Sequence, residues 1–286
     1  VNGHDFIEKA IEKGASAILC EQLPGNFENF PNITFAKVKD SSFALGLAAC
    51  SFYGNPSQTI KLVGVTGTNG KTTTTRLTAH IAKTAGYKVG YTTSDGVYIQ
   101  NQMMMKGDCT GPVSSTFVLK DPTVDFAVLE CARGGILKNG LAFQNCDVAV
   151  VTNISADHIG LGGIDSMEQM AKVKQVVPET VFNHGYAILN ADDDLVYAMK
   201  EGLKCNIAYF SMDENNPRIK KHCKAGGYAA VFENGYITIM KGTWKIRVIR
   251  VADVPVTYGG KALHNIMNCL PAVLSTYFWR NIEIED

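Results

Sequence analysis

The sequence predicts an α/β protein: a small N-terminal α/β domain, then a central P-loop ATPase-type domain with a mostly parallel sheet and a small antiparallel meander. Three observations carry this expectation. From residue 60 onward, short continuous apolar runs alternate with helix-like segments, the rhythm of a parallel sheet covered on both faces. The stretch GVTGTNGKTTTT, Gly64 to Thr75, lies between an apolar run and a helix-like run, the setting of a phosphate-binding loop. Residues 226–257 then switch to strand-like runs parted by Glu233-Asn234-Gly235 and Lys241-Gly242-Thr243, the pattern of a meander.

In chain order, Phe6, Ile7, Ala10 and Ile11 have helical spacing, and Gly14 stops that helix. Strands follow at Ser16–Cys20 and Thr34–Val38. Asp40 or Ser41 caps a helix reaching Phe52. The breaker Tyr53-Gly54-Asn55-Pro56-Ser57 sets a domain boundary, giving domains at 1–59 and 60–286. Strands are then expected at 60–66, 87–92, 124–130, 147–152, 186–190 and 206–211. Helices are expected at 71–84, 112–120, 166–177 and 192–202. The meander strands fall at 228–232, 236–240 and 244–251. A last helix opens near Gly259–Asn268, and Pro271 predicts that it starts late or kinks. Asn215-Asn216-Pro217-Arg218 is expected to form a surface turn.

Composition narrows the function classes. The chain has 286 residues, 46% apolar, with 27 basic and 27 acidic side chains. Zero net charge argues against electrostatic binding to nucleic acid or to an anionic membrane. No apolar run is long enough to span a bilayer. The opening VNGHDFIEKAIEKG is polar, so no signal peptide is expected, and the missing Met predicts a trimmed start. The eight cysteines form no C-x-x-C pair and predict buried free thiols in a reducing cytoplasm.

The chemistry centres on the glycine-rich loop. Gly67, Thr68, Asn69 and Gly70 offer backbone N–H groups to phosphate oxygens. Lys71 offers a positive charge, Thr72 a hydroxyl for Mg²⁺, and Thr73 continues the helix start. The spacing departs from G-x-x-x-x-G-K-[ST], because Val65 stands where the first glycine belongs. Glu130 ends the run Val124–Leu129, and a carboxylate at the carboxyl end of a parallel strand would lie beside the loop as a Mg²⁺ ligand. After Val151, the segment Thr152–His158 ends in His158, a metal ligand or a loop histidine on chemistry alone. Lys172 and Lys174 read as a solvated helix face.

Taken together, Thr66–Thr73 (TGTNGKTT), the strand ending in Glu130, Asn153 with Asp157-His158, Leu189–Asp193 (LNADD) and His264-Asn265-x-x-Asn268 resemble the Mur ligase superfamily. That family uses the longer-spaced loop found here. The resemblance implies a three-domain enzyme that activates a carboxylate with ATP as an acyl phosphate, which an amino acid's amine then displaces. It implies Lys71 and Thr72 on phosphates and Mg²⁺, Glu130 on Mg²⁺, His158 on a second Mg²⁺ and a carbamylated Lys174 beside it. Asn265 and Asn268 match the family's adenine-side residues. The implied partners are a small-molecule or peptide carboxylate and an amino acid.

Residues 1–75 resemble the muramyl-tripeptide synthetase branch, which acts on a UDP-sugar peptide. Residues 76–278 resemble the Mur-ligase-like half of the cyanophycin synthetase branch, which adds arginine to aspartate side chains of a storage polymer. The carriers of the second likeness are Gly90–Gly96, Lys106–Pro112, Glu130–Gly135 and Ala156–Gly162. The muramyl branch has Ser-Ser-His after its glutamate, where this chain has Ala132-Arg133-Gly134. The third domain of the family is expected to be absent, since the chain reaches Asp286 where it would begin. The lead expectation is a carboxylate–amine ligase core of the second branch. The alternatives are a muramyl-peptide ligase and an ATP-binding module that needs a further domain to ligate.

Overall fold

The computed structural model describes residues 2–55, 59–156, 160 and 163–284, with side chains to Trp279. The chain divides into two compact units, residues 1–56 and 57–286.

In the first unit, α1 (Ile7–Glu12) leads to β1 (Ala17–Cys20), which pairs in parallel with β2 (Thr34–Lys37). Between helix and strand, Gly14 takes φ +93°, which a β-carbon disfavours. Asp40 caps α2 (Ser41–Phe52) by accepting from the Phe43 N–H at 2.8 Å. Ile7 and Cys20 are this unit's buried apolar residues.

The second unit is an eleven-stranded sheet in the order β13-β12-β11-β10-β9-β8-β3-β7-β4-β5-β6. Its centre is parallel: β3 (Lys61–Thr66), β4 (Val89–Thr93), β7 (Phe126–Glu130), β8 (Cys146–Val151), β9 (Val181–Asn190), β10 (Asn206–Ser211) and β11 (Tyr228–Glu233). Antiparallel pairs close both edges, with β12 (Tyr236–Lys241) and β13 (Trp244–Arg250) on one side. The expected mostly parallel sheet with a meander is therefore present. On the other edge lie β5 (Gly96–Ile99) and β6 (Gln102–Lys106), a hairpin the sequence did not suggest. All five residues of β6 are exposed, so QMMMK carries no alternation to read.

Alternating side chains feed two faces. Val63, Val65, Phe126, Val148 and Ile188 meet α3 (Lys71–Thr84) and α9 (Leu263–Ile284). On the opposite face, Leu62, Ala127 and Leu129 meet α4 (Pro112–Lys120), while Ala187, Leu189 and Tyr209 meet α6 (Met167–Glu179), α7 (Asp194–Ala198) and α8 (Pro217–Lys224). The short α5 (Arg133–Asn139) follows β7.

Several elements differ from expectation. The helix expected at 192–202 is α7 followed by a 3₁₀ turn, Met199–Gly202. The expected surface turn is present at Asp213–Asn216, where Asn216 N–H donates to the Asp213 carbonyl at 3.1 Å, but the stretch also starts a helix tied to a loop: Asn216 caps α8, and Arg218 donates to the Ala191 carbonyl at 2.9 Å. The last helix begins at Leu263, ahead of Pro271, so the proline does not delay it. Ile266, Leu270, Leu274 and Phe278 are all buried in the core. At ~1.5–3 kcal/mol per buried large apolar side chain, that stripe outweighs the ~3 kcal/mol cost of an interior proline. All eight cysteines are free thiols. No helix among the described residues is long and apolar enough to cross a membrane.

Candidate nucleotide-binding and metal site

The loop between β3 and α3 lies at the carboxyl ends of β3, β7, β8 and β4, where ligands bind in open α/β sheets. Gly70 is the N-cap of α3 in left-handed conformation (φ +84°), with no side-chain cap on the helix. An uncapped helix start of this kind presents its first-turn N–H groups in the direction that favours an anion. A β-carbon on Gly70 would fall 2.1 Å from Asn268 Oδ1, and one on Gly67 (φ +138°) would fall 1.9 Å from Thr152 Oγ1. Both glycines are required by conformation and by close approach.

The segment after β8 holds the loop in shape. Thr68 N–H donates to the Asn153 carbonyl (2.8 Å) and Asn69 N–H to Asn153 Oδ1 (3.0 Å). Asn153 Nδ2 and Thr152 Oγ1 both donate to the Asn69 carbonyl, at 3.1 and 2.7 Å. Ser155 N–H donates to Thr68 Oγ1 (3.0 Å). Behind this segment, Asn190 Nδ2 donates to the Thr152 carbonyl (2.8 Å). Asp193 accepts the Ile154 N–H at 2.7 Å through one oxygen and caps α7 through the other.

Lys71, Thr72, Thr73, Ser94, Asp108 and Glu130 line a cavity of about 480 Å³ with Thr68, Asn69 and Gly70. Thr72 Oγ1 donates to Glu130 Oε2 at 2.9 Å and lies 3.1 Å from Ser94 Oγ, while Ser94 N–H donates to the same carboxylate oxygen at 3.3 Å. Glu130 is buried at 1% exposure. Burial pushes its carboxyl above the ordinary carboxylate range, and the Thr72 hydroxyl, Lys71 and the Ser94 N–H pull it partly back. A carboxylate and a hydroxyl in contact are hard oxygen donors of the kind Mg²⁺ takes, so the residues present fit that ion.

The remaining sequence candidates fall as follows. Lys71 Nζ donates to the Thr68 carbonyl (2.8 Å). Lys174 is 3% exposed and its Nζ donates to the Gly67 carbonyl (2.6 Å), at the base of the loop. Lys172 is exposed, so the two lysines do not share a solvated face. Asn268 packs against Gly70, whereas Asn265 Nδ2 donates to the Val256 carbonyl (2.7 Å). His158 and Asp157 lie outside the described residues. Ser94, Thr152 and Asp193 lie in stretches noted in the sequence, Gly90–Gly96, Thr152–His158 and Leu189–Asp193, but were given no role of their own; Ser94, directly after β4, was within reach of the same strand-end rule that found Glu130.

The sheet order, the loop and the carboxylate at the end of β7 define a P-loop nucleotide-binding α/β domain. The model of the Mur ligase middle domain matches residues 65–276, and the chain belongs to that family. Ligases of this kind use ATP with Mg²⁺. A cyanophycin synthetase of Crocosphaera subtropica is 55% identical over 232 residues, 81% of this chain and 26% of that protein. A UDP-N-acetylmuramoyl-L-alanyl-D-glutamate--2,6-diaminopimelate ligase of Bacteroides fragilis is 32% identical over 215 residues, 74% of this chain and 44% of that one. A solved UDP-N-acetylmuramoyl-L-alanyl-D-glutamate--2,6-diaminopimelate ligase superposes with TM-score 0.63 at 19% identity, over 96% of this chain and 54% of that one, a likeness of fold. The chain spans about a quarter of the length of the cyanophycin synthetases it matches.

Proposed function

We propose that the chain is the ATP-binding core of an ATP-dependent carboxylate–amine ligase, most like the Mur-ligase-like part of cyanophycin synthetase. The observation that carries the reading is the Thr72–Glu130 contact inside a cavity walled by Gly70 and Lys71. The identity of 55% to cyanophycin synthetase against 32% to the diaminopimelate ligase favours the first branch. Residues 1–59 would be part of a substrate domain ahead of the ATPase domain at 60–286.

In this reading the N–H groups of Gly67–Thr73 cradle the phosphates, and Lys71 offsets their charge. Thr72 and Glu130 hold Mg²⁺, which when bound withdraws charge from the γ-phosphoryl group. His158 and Lys174, carbamylated by CO₂, would hold a second Mg²⁺; ¹³C NMR of the folded protein in ¹³C-bicarbonate should then show a carbamate carbon that Lys174→Ala lacks. Asn268, against Gly70, and Asn265 lie on the adenine side. The carboxylate attacks the γ-phosphorus as ADP departs. The amine nitrogen then attacks the acyl carbon, loses a proton, and phosphate departs.

The test is ADP and amide formation with an aspartate-containing peptide plus arginine, set against a UDP-muramyl dipeptide plus lysine or diaminopimelate. Product from the first pair is expected. Product from the second pair alone would move the chain to the muramyl branch. Tight ATP binding with neither product would leave it a binding module.

A further inference from the structure

A cavity of about 660 Å³ lies away from the phosphate cavity and shares no lining residue with it. Asn206 and Ile207 open β10 and Tyr228 opens β11, so it sits at the amino ends of these strands. The phosphate loop sits at the carboxyl ends of strands parallel to them, on the opposite edge of the sheet. One wall is Tyr197 of α7 with Lys200 of the following 3₁₀ turn, and another is Arg218, Lys221 and His222 of α8. Tyr209 of β10 lies between them, its ring centroid 5.3 Å from that of Tyr197 and 4.6 Å from that of His222. No acidic residue lines this groove.

The Tyr209 hydroxyl points to a ligand. The residue is 3% exposed, and its hydroxyl has no hydrogen-bond partner among the described residues. Burial and then Tyr197 raise its pKa and the Arg218 charge pulls it partly back, so the group stays a protonated donor. A donor this deep without a protein partner calls for water or a ligand oxygen. Positive charge surrounds it. Arg218 is paired with Asp194 at 2.5 Å, but Lys200 and Lys221 make no ion pair among the described residues. Lys200 Nζ lies 3.8 Å from the Tyr197 ring centroid and acts across the groove on His222: burial lowers that imidazole's pKa, and the lysine's charge lowers it further.

We infer that this groove binds a phosphorylated small molecule, with Tyr209 donating to a phosphoryl oxygen and Lys200 and Lys221 offsetting its charge. The inference goes beyond the ligase reading and does not rest on it. Two ammonium groups and a hydroxyl supply more charge and more donors than one carboxylate takes up. A phosphoryl group, with three acceptor oxygens and a charge of about −1.5 to −2, matches them. The volume falls in the ~300–1,000 Å³ range of small-molecule sites, so there is room for the carrier of the phosphate as well. Its place on the far edge of the sheet means that this ligand does not compete with the nucleotide.

The experiment is equilibrium dialysis of ³²P-labelled pyrophosphate against the chain saturated with Mg²⁺ and a non-hydrolysable ATP analogue, which fills the phosphate cavity. One equivalent should still bind. Tyr209→Phe removes only the hydroxyl and should weaken this binding about five- to tenfold, with an unchanged melting temperature because no protein partner is lost. Lys221→Met, at an exposed position, should weaken it by a similar factor. Labelled ADP in place of pyrophosphate tells the carriers apart: tighter binding than pyrophosphate marks a nucleotide, weaker binding a phosphate on another carrier. Pyrophosphate binding that the analogue abolishes belongs to the phosphate cavity and overturns the inference. Equal pyrophosphate affinity in wild type, Tyr209→Phe and Lys221→Met overturns it as well.

Discussion

At the scale of single residues, Glu130 carries the sharpest consequence. Its carboxyl is 1% exposed, and burial raises its pKa above the unfolded value. The sign follows from linkage: the folded state holds this proton to a higher pH than the unfolded state does. Stability from this group is therefore greatest in acid and falls as pH rises through the folded pKa. Without metal, Glu130→Gln should stabilise the protein at neutral pH by about 1 kcal/mol, or roughly 2–4 °C in melting temperature. The same change should abolish most Mg²⁺-dependent gain in nucleotide affinity, and wild-type Mg²⁺ affinity should rise with pH. Thermal melts at pH 5 and 8, with and without Mg²⁺, check this; a lower melting temperature for the variant at both pH values would sink it. Glu130 was legible in sequence because it ends an apolar run. Lys174 was not legible from charge pattern, because only the fold reveals that it is buried while Lys172 is exposed.

At the scale of elements, the phosphate loop depends on a segment outside it. Asp193 reaches two elements at once, capping α7 and accepting the Ile154 N–H. Through Thr152, Asn153 and Ser155 that contact extends to Gly67–Asn69. Asp193→Ala should cost about 2–3 kcal/mol, ~1 for the cap and ~1.5 or more for the charged hydrogen bond. It should also weaken MgATP binding about tenfold. Asp193→Asn can still cap α7 but turns an amide toward the Ile154 N–H, so it should restore stability more than nucleotide affinity. Denaturant unfolding and nucleotide titration separate the two effects, and an Ala variant binding MgATP as wild type does would break the proposed link. The elements that sequence missed share a physical cause. β6 is an edge strand exposed on every residue, so it shows no period of two. Arg133-Gly134-Gly135 and Asn216-Pro217 are rich in residues that favour turns, so they show no helical pattern, yet they open α5 and α8. The helix α3 and the central strands were legible because burial on one or both faces imposes a pattern.

At the scale of the whole molecule, the two units have unequal cores. Apolar burial in the second extends over three clusters on both faces of its sheet, while Ile7 and Cys20 are the buried apolar residues of the first. Apolar burial is the main favourable term in folding, so the units should differ in stability. The described residues of the phosphate cavity all belong to residues 57–286. A ligand that binds only the folded second unit stabilises that unit by RT ln(1 + [L]/Kd), about 2.7 kcal/mol at a hundredfold excess over Kd. Hydrogen exchange should therefore find residues 2–55 exchanging first. MgATP should slow exchange in β3, β7, β8 and α3 and leave β1 and β2 unchanged. Lys71→Ala should lose that protection while keeping the ligand-free exchange pattern, because Lys71 would act on the nucleotide and not in the core. Protection spreading equally to β1 and β2 would mean that the two units open as one, and protection retained in Lys71→Ala would remove that lysine from the phosphate site.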